Sequence, residues 1–558
     1  MTLSDIHAGD RIAGATFAGR SAVWGANGAA ATAHPLAALA AVDILRAGGS
    51  AVDAAIAANA CLGLAEPTAC GIGGDLFALI WDPAQRGVVG LNGSGRSPRA
   101  LTLEIQRAHA ARGHIAPLGP TSVSVPGAVD GWWMAHQRYG RLPWARLFEP
   151  AIALCEAGAP IPQTIAALWR ANVAGFLSAE TLIGETENLK RLFAPAGRTP
   201  AEGELFRNPD LGRSYRLIAE GGRDAFYTGE IAEVIEAYFR RIGGWMTRAD
   251  LAAHAGDWTT PLRTTYRGVE VFGLGDNTQG LTTLQMLNIL EGFDLKAMGF
   301  QSAQGLHHQA EAKRLAFEDR ARFFADPAFA EVPIEWLNSK AYAAERAALI
   351  RPDRLIDDIR PGQAPAHGDT TYLCTADGSG MMVSFIQSNF RGMGSGLVPD
   401  GLGFMLQNRG ELFALKDGRP NLYAPGKRPF HTIIPGFATR GGEPWLAFGV
   451  MGGDMQPQGQ VQIITGMVDH GLGVQEAGDS PRWRHHGSAE PTGQPAEAKG
   501  VLHLESGAPA ATRAGLMALG WTLAGPDGGF GGYQAVQRQG GVYAAASEMR
   551  KDGLALAY

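Results

Sequence analysis

Asp369-Thr370-Thr371 follows a short segment of small residues, Gly362 to Gly368 (GQAPAHG), and opens a run of β-forming residues. A threonine hydroxyl is a weak nucleophile and needs a neighbouring base. If the Asp369–Thr370 bond is cut, Thr370 gains an α-amine with an unperturbed pKa of about 7.7–8.0. That lies near the working range of a general base, and the amine is tethered to the nucleophile it would serve. Asp377-Gly378-Ser379-Gly380 is a hairpin signal between the runs Thr371 to Thr375 and Met381 to Gln387. A turn there sets Thr370 beside Gln387 with Ser388 one place on, so a serine hydroxyl becomes the threonine's cross-strand neighbour. Farther along, Gly452-Gly453 lies between a strand, Trp445 to Val450, and a helical pattern at Val461, Ile464, Met467 and Val468. Glycines at such a helix entrance let backbone N–H groups approach a ligand, which is the make-up of an oxyanion hole. Together these stretches point to an N-terminal nucleophile enzyme. Spacing alone also fits two ordinary strand-opening threonines.

The elements that must position these residues are legible in outline. From His34 to Asn59 the sequence reads as two alanine-rich helices separated by Gly48-Gly49-Ser50, where glycine ends one and serine caps the next. Helical patterns recur at Pro143 to Ala157, Thr282 to Leu290 and Leu306 to Phe324. Helices are expected to dominate the first two thirds, with strands joining them in the last third. Gly362 to Gly368 is the expected exposed linker.

With 558 residues, 46% of them hydrophobic and 18% charged, the chain has ample material for a core and is not disordered as a whole. The net charge of −6, from 48 basic and 54 acidic residues without a basic block, argues against nucleic acid as a partner. Cys61, Cys70, Cys155 and Cys374 are too far apart for a disulfide framework or a structural zinc site. The opening MTLSDIHAGDRIAGATFAGR lacks an apolar segment, and no later stretch is long enough to span a bilayer. A cytoplasmic chain with no membrane partner is expected. Phosphate-loop, GxSxG and HExxH motifs are absent. The pairs His307-His308 and His485-His486 read as solvated or core histidines, and Arg482, Arg484 and the residues after them as a charged surface.

The chain resembles the γ-glutamyltransferases among the N-terminal nucleophile hydrolases, on ordered matches along nearly its whole length. They include HPLAALAAVDILRAGGSAVDAAIA at 34–57, EPTACGIGGDLFALIWD at 66–82, SVSVPGAVDGW at 122–132 and DAFYTGEIA at 224–232. GDTTYLCTADGSGMMVSFIQS at 368–388, GMGSG at 392–396, GKRPFHT at 426–432 and MGGDMQPQGQ at 451–460 complete the set. The resemblance implies an α/β (α+β) fold, a four-layer αββα sandwich. It also implies a precursor that cuts itself into an α subunit, residues 1–369, and a β subunit, residues 370–558, which pair as a heterodimer. Asp369 and Thr370 would flank the cut, and Thr370 would be the nucleophile. Ser388 matches the second hydroxyl, Gly452 and Gly453 the oxyanion glycines, and Thr432 with His431 the pair contacting the substrate carboxylate. The family's carboxylate-binding arginine aligns nearest to Ser94, and Arg96 is its expected substitute. No metal or organic cofactor is implied.

The departures bear on the substrate. Where the family grips a γ-glutamyl α-amino group with an acidic residue, Leu412 stands, and Arg409 replaces a glutamine. The asparagine expected two residues after Ser388 is Phe390, unless a gap brings in Asn389. Loss of a counter-charge for an ammonium and gain of an arginine favour an acyl group ending in a carboxylate. Glu411 could partly restore the lost charge. This resembles the class I cephalosporin acylases, which cleave glutaryl-7-aminocephalosporanic acid, with some γ-glutamyl transfer retained. A genuine γ-glutamyltransferase acting on glutathione, an oxamate-type amidohydrolase and a catalytically silent peptide or amino-acid binder are the alternatives.

Overall fold

The computed structural model describes residues 12–357, 359 and 371–558. Two seven-stranded sheets form its centre. One runs in the order Leu554–Ala557, Gly28–Thr32, Thr371–Asp377, Met382–Ser388, Asp75–Asp82, Gly87–Asn92 and Asp257–Thr259. The other runs Val23–Gly25, Val542–Ser547, Tyr533–Gln539, Glu443–Val450, Gly436–Arg440, Val269–Gly273 and Leu262–Tyr266. Neighbouring strands in both are antiparallel.

The strand Asp75–Asp82 shows how the layers arise. Its residues alternate between two cores, because successive side chains leave opposite faces of a strand. Phe77, Leu79 and Trp81 join Tyr372, Ile386, Phe437 and Val536 between the sheets. Leu76, Ala78 and Ile80 pack outward against Ala54, Ile56 and Trp132 of the helices Ala51–Ala65 and Ala128–Tyr139. On the second sheet the outward residues Leu446, Phe448 and Val450 meet Leu284, Leu315 and Val461 of the helices Gly280–Leu290, Ala303–Phe323 and Met455–Val468. The result is helix, sheet, sheet, helix: the expected αββα sandwich. Between the sheets Gly449 is required, since a Cβ there would lie 2.4 Å from the Tyr372 ring.

The glycine-serine break separates Pro35–Arg46 from Ala51–Ala65, and Ser50 caps the second helix in a reciprocal capping box with Asp53. Two expectations are corrected. Strands are not confined to the last third, because Gly28–Thr32, Asp75–Asp82, Gly87–Asn92, Leu262–Tyr266 and Val269–Gly273 are sheet strands. With both faces covered, DLFALIWD carries no alternating pattern that would reveal it. The segment from Arg482 to His485 is not a charged surface but is buried, with Arg482 donating to the Phe530 carbonyl at 2.8 Å. The cysteines are free and buried. Among the described residues no helix is long and apolar enough to cross a membrane.

Candidate active site

The hairpin expected after the linker is present, one residue out of the expected register. Thr371 pairs with Gln387 and Ala376 with Met382, so Asp377 belongs to the strand rather than the turn. The Asp377 carboxylate accepts the N–H of Ser379 at 2.8 Å, and Gly380 takes the left-handed φ of +90° that closes the shorter loop. Asp369, Thr370 and the Gly362 to Gly368 segment lie outside the described residues. Thr371, the first residue described after them, donates its hydroxyl to the buried Glu66 carboxylate.

Ser388 ends the second strand, buried, paired with Asp75 on its other side. Its Oγ accepts the N–H of Phe390 at 2.8 Å. Phe390 holds a φ of +80°, unusual for an aromatic residue, and its ring lies 4.3 Å beneath the Arg409 guanidinium. This bend therefore brings Ser388 and Arg409 into one neighbourhood.

Arg409 is 0% exposed. Its Nη1 donates to the Thr432 hydroxyl at 2.9 Å, while Nε and Nη2 have no hydrogen-bond partner among the described residues. Burial pushes its pKa down to about 9, against the pull of the Asp75 and Glu411 carboxylates. Glu411, next to Leu412, is held by Arg391 through two hydrogen bonds of 2.6 and 3.0 Å. Leu412 itself packs with Leu281, Phe390 and Phe430. His431 precedes Thr432, with Nε2 3.2 Å from Asp75 Oδ2. The other Asp75 oxygen accepts the N–H groups of Gly95 and Gly127 at 2.9 and 3.0 Å. Burial, aided by the Arg409 charge, pushes the His431 pKa down to about 4. At neutral pH Arg409 is therefore a buried cation and His431 a neutral imidazole.

Gly452-Gly453 occupies the turn between Glu443–Val450 and Met455–Val468, with left-handed φ values of +102° and +57°. The Gly453 carbonyl accepts from Gln279 Nε2 at 2.9 Å, and the same amide donates to the Thr432 carbonyl at 2.6 Å. Ser388, Arg409, His431, Thr432 and Gly453 are thus joined through Phe390, Asp75 and Gln279. Gly452 precedes Gly453 and lines a small cleft with Lys313 and Ser488. Arg96 has different company. It is half-buried, approaches the Ala255 carbonyl at 3.5 Å, and has Arg428, Arg99, Asp326 and Asp257 as charged neighbours.

The arrangement can hold an anion on Arg409 beside a hydroxyl and a glycine turn suited to an oxyanion. The family model for gamma-glutamyltranspeptidase matches residues 37–558. The chain belongs to the γ-glutamyltranspeptidase family. This γ-glutamyltranspeptidase-family chain is 37% identical over 452 residues to the glutathione hydrolase-like YwrD proenzyme of Bacillus subtilis (strain 168), covering 81% of this chain and 83% of that one. It is 34% identical over 542 residues to the acylase ACY 1 proenzyme of Pseudomonas sp. (strain SE83), covering 96% and 94%. The crystal structure of cephalosporin acylase from Bacillus halodurans superposes with a TM-score of 0.88 at 39% identity, covering 97% of both chains. This family member is thus an acylase or γ-glutamyltransferase-type amidohydrolase.

Asp75, Gln279 and Arg320 were not singled out from the sequence, although they organise the pocket of this γ-glutamyltranspeptidase-family protein. Asp75 left one usable signal, a carboxylate opening an otherwise apolar strand. Gln279 and Arg320 left none. The buried histidines give one measurable consequence. Burial pushes His34, His254 and His431 down to about 4, below the unperturbed value of about 6.5. Between those values the unfolded chain binds more protons. The stability they contribute is therefore complete above about 6.5 and is lost as pH falls through about 4, on the order of 3 kcal/mol each. Urea unfolding should show a lower midpoint at pH 4.5 than at pH 7; equal midpoints would contradict this.

Proposed function

We propose that this protein is a self-processing amidohydrolase that removes glutaryl-type acyl groups, those ending in a free carboxylate, through a threonyl acyl-enzyme. The observation that carries the reading is Arg409, a fully buried guanidinium with two nitrogens that have no hydrogen-bond partner among the described residues. An uncompensated buried charge costs several kcal/mol, and a substrate carboxylate docking bidentately would offset that cost. Arg409, anchored by Thr432 beside neutral His431, is the acyl-carboxylate ligand in this reading. Arg96, with its separate set of charged neighbours, is assigned no step.

In the precursor the Thr370 hydroxyl attacks the Asp369 carbonyl, the peptide nitrogen leaves as the new α-amine, and water hydrolyses the resulting ester. The pieces 1–369 and 370–558 stay together in this reading, since both large sheets interleave strands from before and after position 370. In the mature enzyme the α-amine takes the Thr370 hydroxyl proton as the oxygen attacks the substrate amide. The N–H groups of Gly452 and Gly453 stabilise the oxyanion, and Ser388 supplies a hydroxyl beside the nucleophile. The ammonium returns its proton to the departing amine, and water then releases the dicarboxylic acid. Glutaryl-7-aminocephalosporanic acid is the type of substrate expected.

The test is kcat/KM on glutaryl- and γ-glutamyl-p-nitroanilide. A glutaryl preference is expected. A γ-glutamyl preference of tenfold or more would instead favour a glutathione hydrolase or γ-glutamyltransferase, to which relatives such as the YwrD protein point by name.

A further inference from the structure

Gln279 stands immediately before the helix Gly280–Leu290, in a segment laced to the chain around Thr432. Asn277 Nδ2 donates to the Pro429 carbonyl at 2.8 Å, the His431 N–H donates to the Asn277 carbonyl at 2.6 Å, and the Thr278 hydroxyl donates to the Ile433 carbonyl at 2.6 Å. Gln279 then reaches past this seam. Its two amide hydrogens go to different walls of the site, one to the Thr432 carbonyl at 2.6 Å and one to the Gly453 carbonyl at 2.9 Å. Its own carbonyl accepts from Arg320 Nη1. Because a guanidinium can only donate, that contact fixes which end of the amide is oxygen and leaves both N–H bonds for the two carbonyls. Arg320 is itself immobilised: it is fully buried, donates to Asp454 Oδ1 at 2.6 Å and also binds Glu490. Asp454 is the residue after Gly453, so Arg320 grips the glycine turn directly and through Gln279.

We infer that Gln279, held by Arg320, is a positioning residue that couples the Arg409–Thr432 anion pocket to the Gly452-Gly453 turn. The inference rests on the reading of these two places as acyl-carboxylate pocket and oxyanion hole. With the clamp intact, a carboxylate drawn onto Arg409 pulls on Thr432, and the pull reaches Gly453 through one rigid amide. The bonus for the correct acyl group therefore appears in kcat as well as in KM. Without the clamp, Arg409 still binds the carboxylate, but its occupancy no longer reports to the turn, and the bonus retreats into KM.

A double-mutant cycle tests this, with Gln279→Met crossed with Arg409→Gln and kcat and KM measured separately on glutaryl- and pentanoyl-p-nitroanilide. Arg409→Gln is expected to lower kcat on the glutaryl anilide about tenfold in the wild-type background. In the Gln279→Met background it should lower kcat less than threefold while KM still rises. Equal losses of kcat in both backgrounds, including no loss in either, overturn the coupling. Failure of the underlying reading looks different: the glutaryl-to-pentanoyl ratio of the otherwise wild-type enzyme would not change with Arg409→Gln. Should Gln279→Met not fold, Gln279→Glu keeps the shape and the Arg320 contact, removes both donors, and takes its place in the same cycle. A purely structural role for Gln279 would lower activity on both anilides alike and leave the kcat cost of Arg409→Gln unchanged, which also overturns the inference.

Discussion

Replacing Arg409 by glutamine should lower kcat/KM for glutaryl-p-nitroanilide roughly 100-fold while changing that for pentanoyl-p-nitroanilide by less than about threefold. Hydrogen bonds to a charged group contribute about 1.5–3 kcal/mol each, and each 1.4 kcal/mol is a factor of ten in rate. The two Arg409 nitrogens without a partner among the described residues would be engaged only when the acyl group ends in a carboxylate. The same substitution should not cost stability. It removes a fully buried cation whose one hydrogen bond among the described residues goes to a neutral hydroxyl, and replacing such a charge by a neutral group of similar volume is often neutral or stabilising. An unchanged or raised Tm together with collapsed glutaryl turnover separates substrate recognition from folding. Parallel losses on both anilides would count against Arg409 as the acyl-carboxylate ligand.

Thr370→Ala should remain one uncut chain and lose activity by about 10⁴-fold or more, since removing a catalytic nucleophile leaves only binding and oxyanion stabilisation. Processing and catalysis fail together because both use the same hydroxyl, first against the Asp369 carbonyl and then against the substrate. Thr370→Ser keeps a hydroxyl and should still be cut, more slowly. Gel electrophoresis and anilide turnover read both effects. Two fragments from Thr370→Ala, at any yield comparable with wild type, would assign the cut to another residue.

The parts legible in the sequence were those written in local punctuation. Gly48-Gly49-Ser50 divided two helices because glycine ends one and a serine hydroxyl caps the next, and the capping box of Ser50 with Asp53 shows that chemistry at work. Gly452-Gly453 between a strand and a helix was equally plain. The hairpin register slipped by one because the side chain of Asp377 holds Ser379, which adds a strand residue that turn composition does not report. The strand Asp75–Asp82 was invisible to periodicity because it is covered on both faces. Within the site, the motif departures at Arg409, Leu412 and His431 were readable position by position. The surroundings of Glu411 were not, since Arg391, twenty positions away, closes on that carboxylate. Gln279 acts on backbone carbonyls 153 and 174 positions away, and no spacing rule encodes such a contact.

N-terminal sequencing of the purified protein tests the central claim most directly. It should return a second start, Thr-Thr-Tyr-Leu, from a smaller polypeptide that accompanies the activity. A different internal start, or an undivided chain with full turnover, would contradict a catalytic amine generated at Thr370.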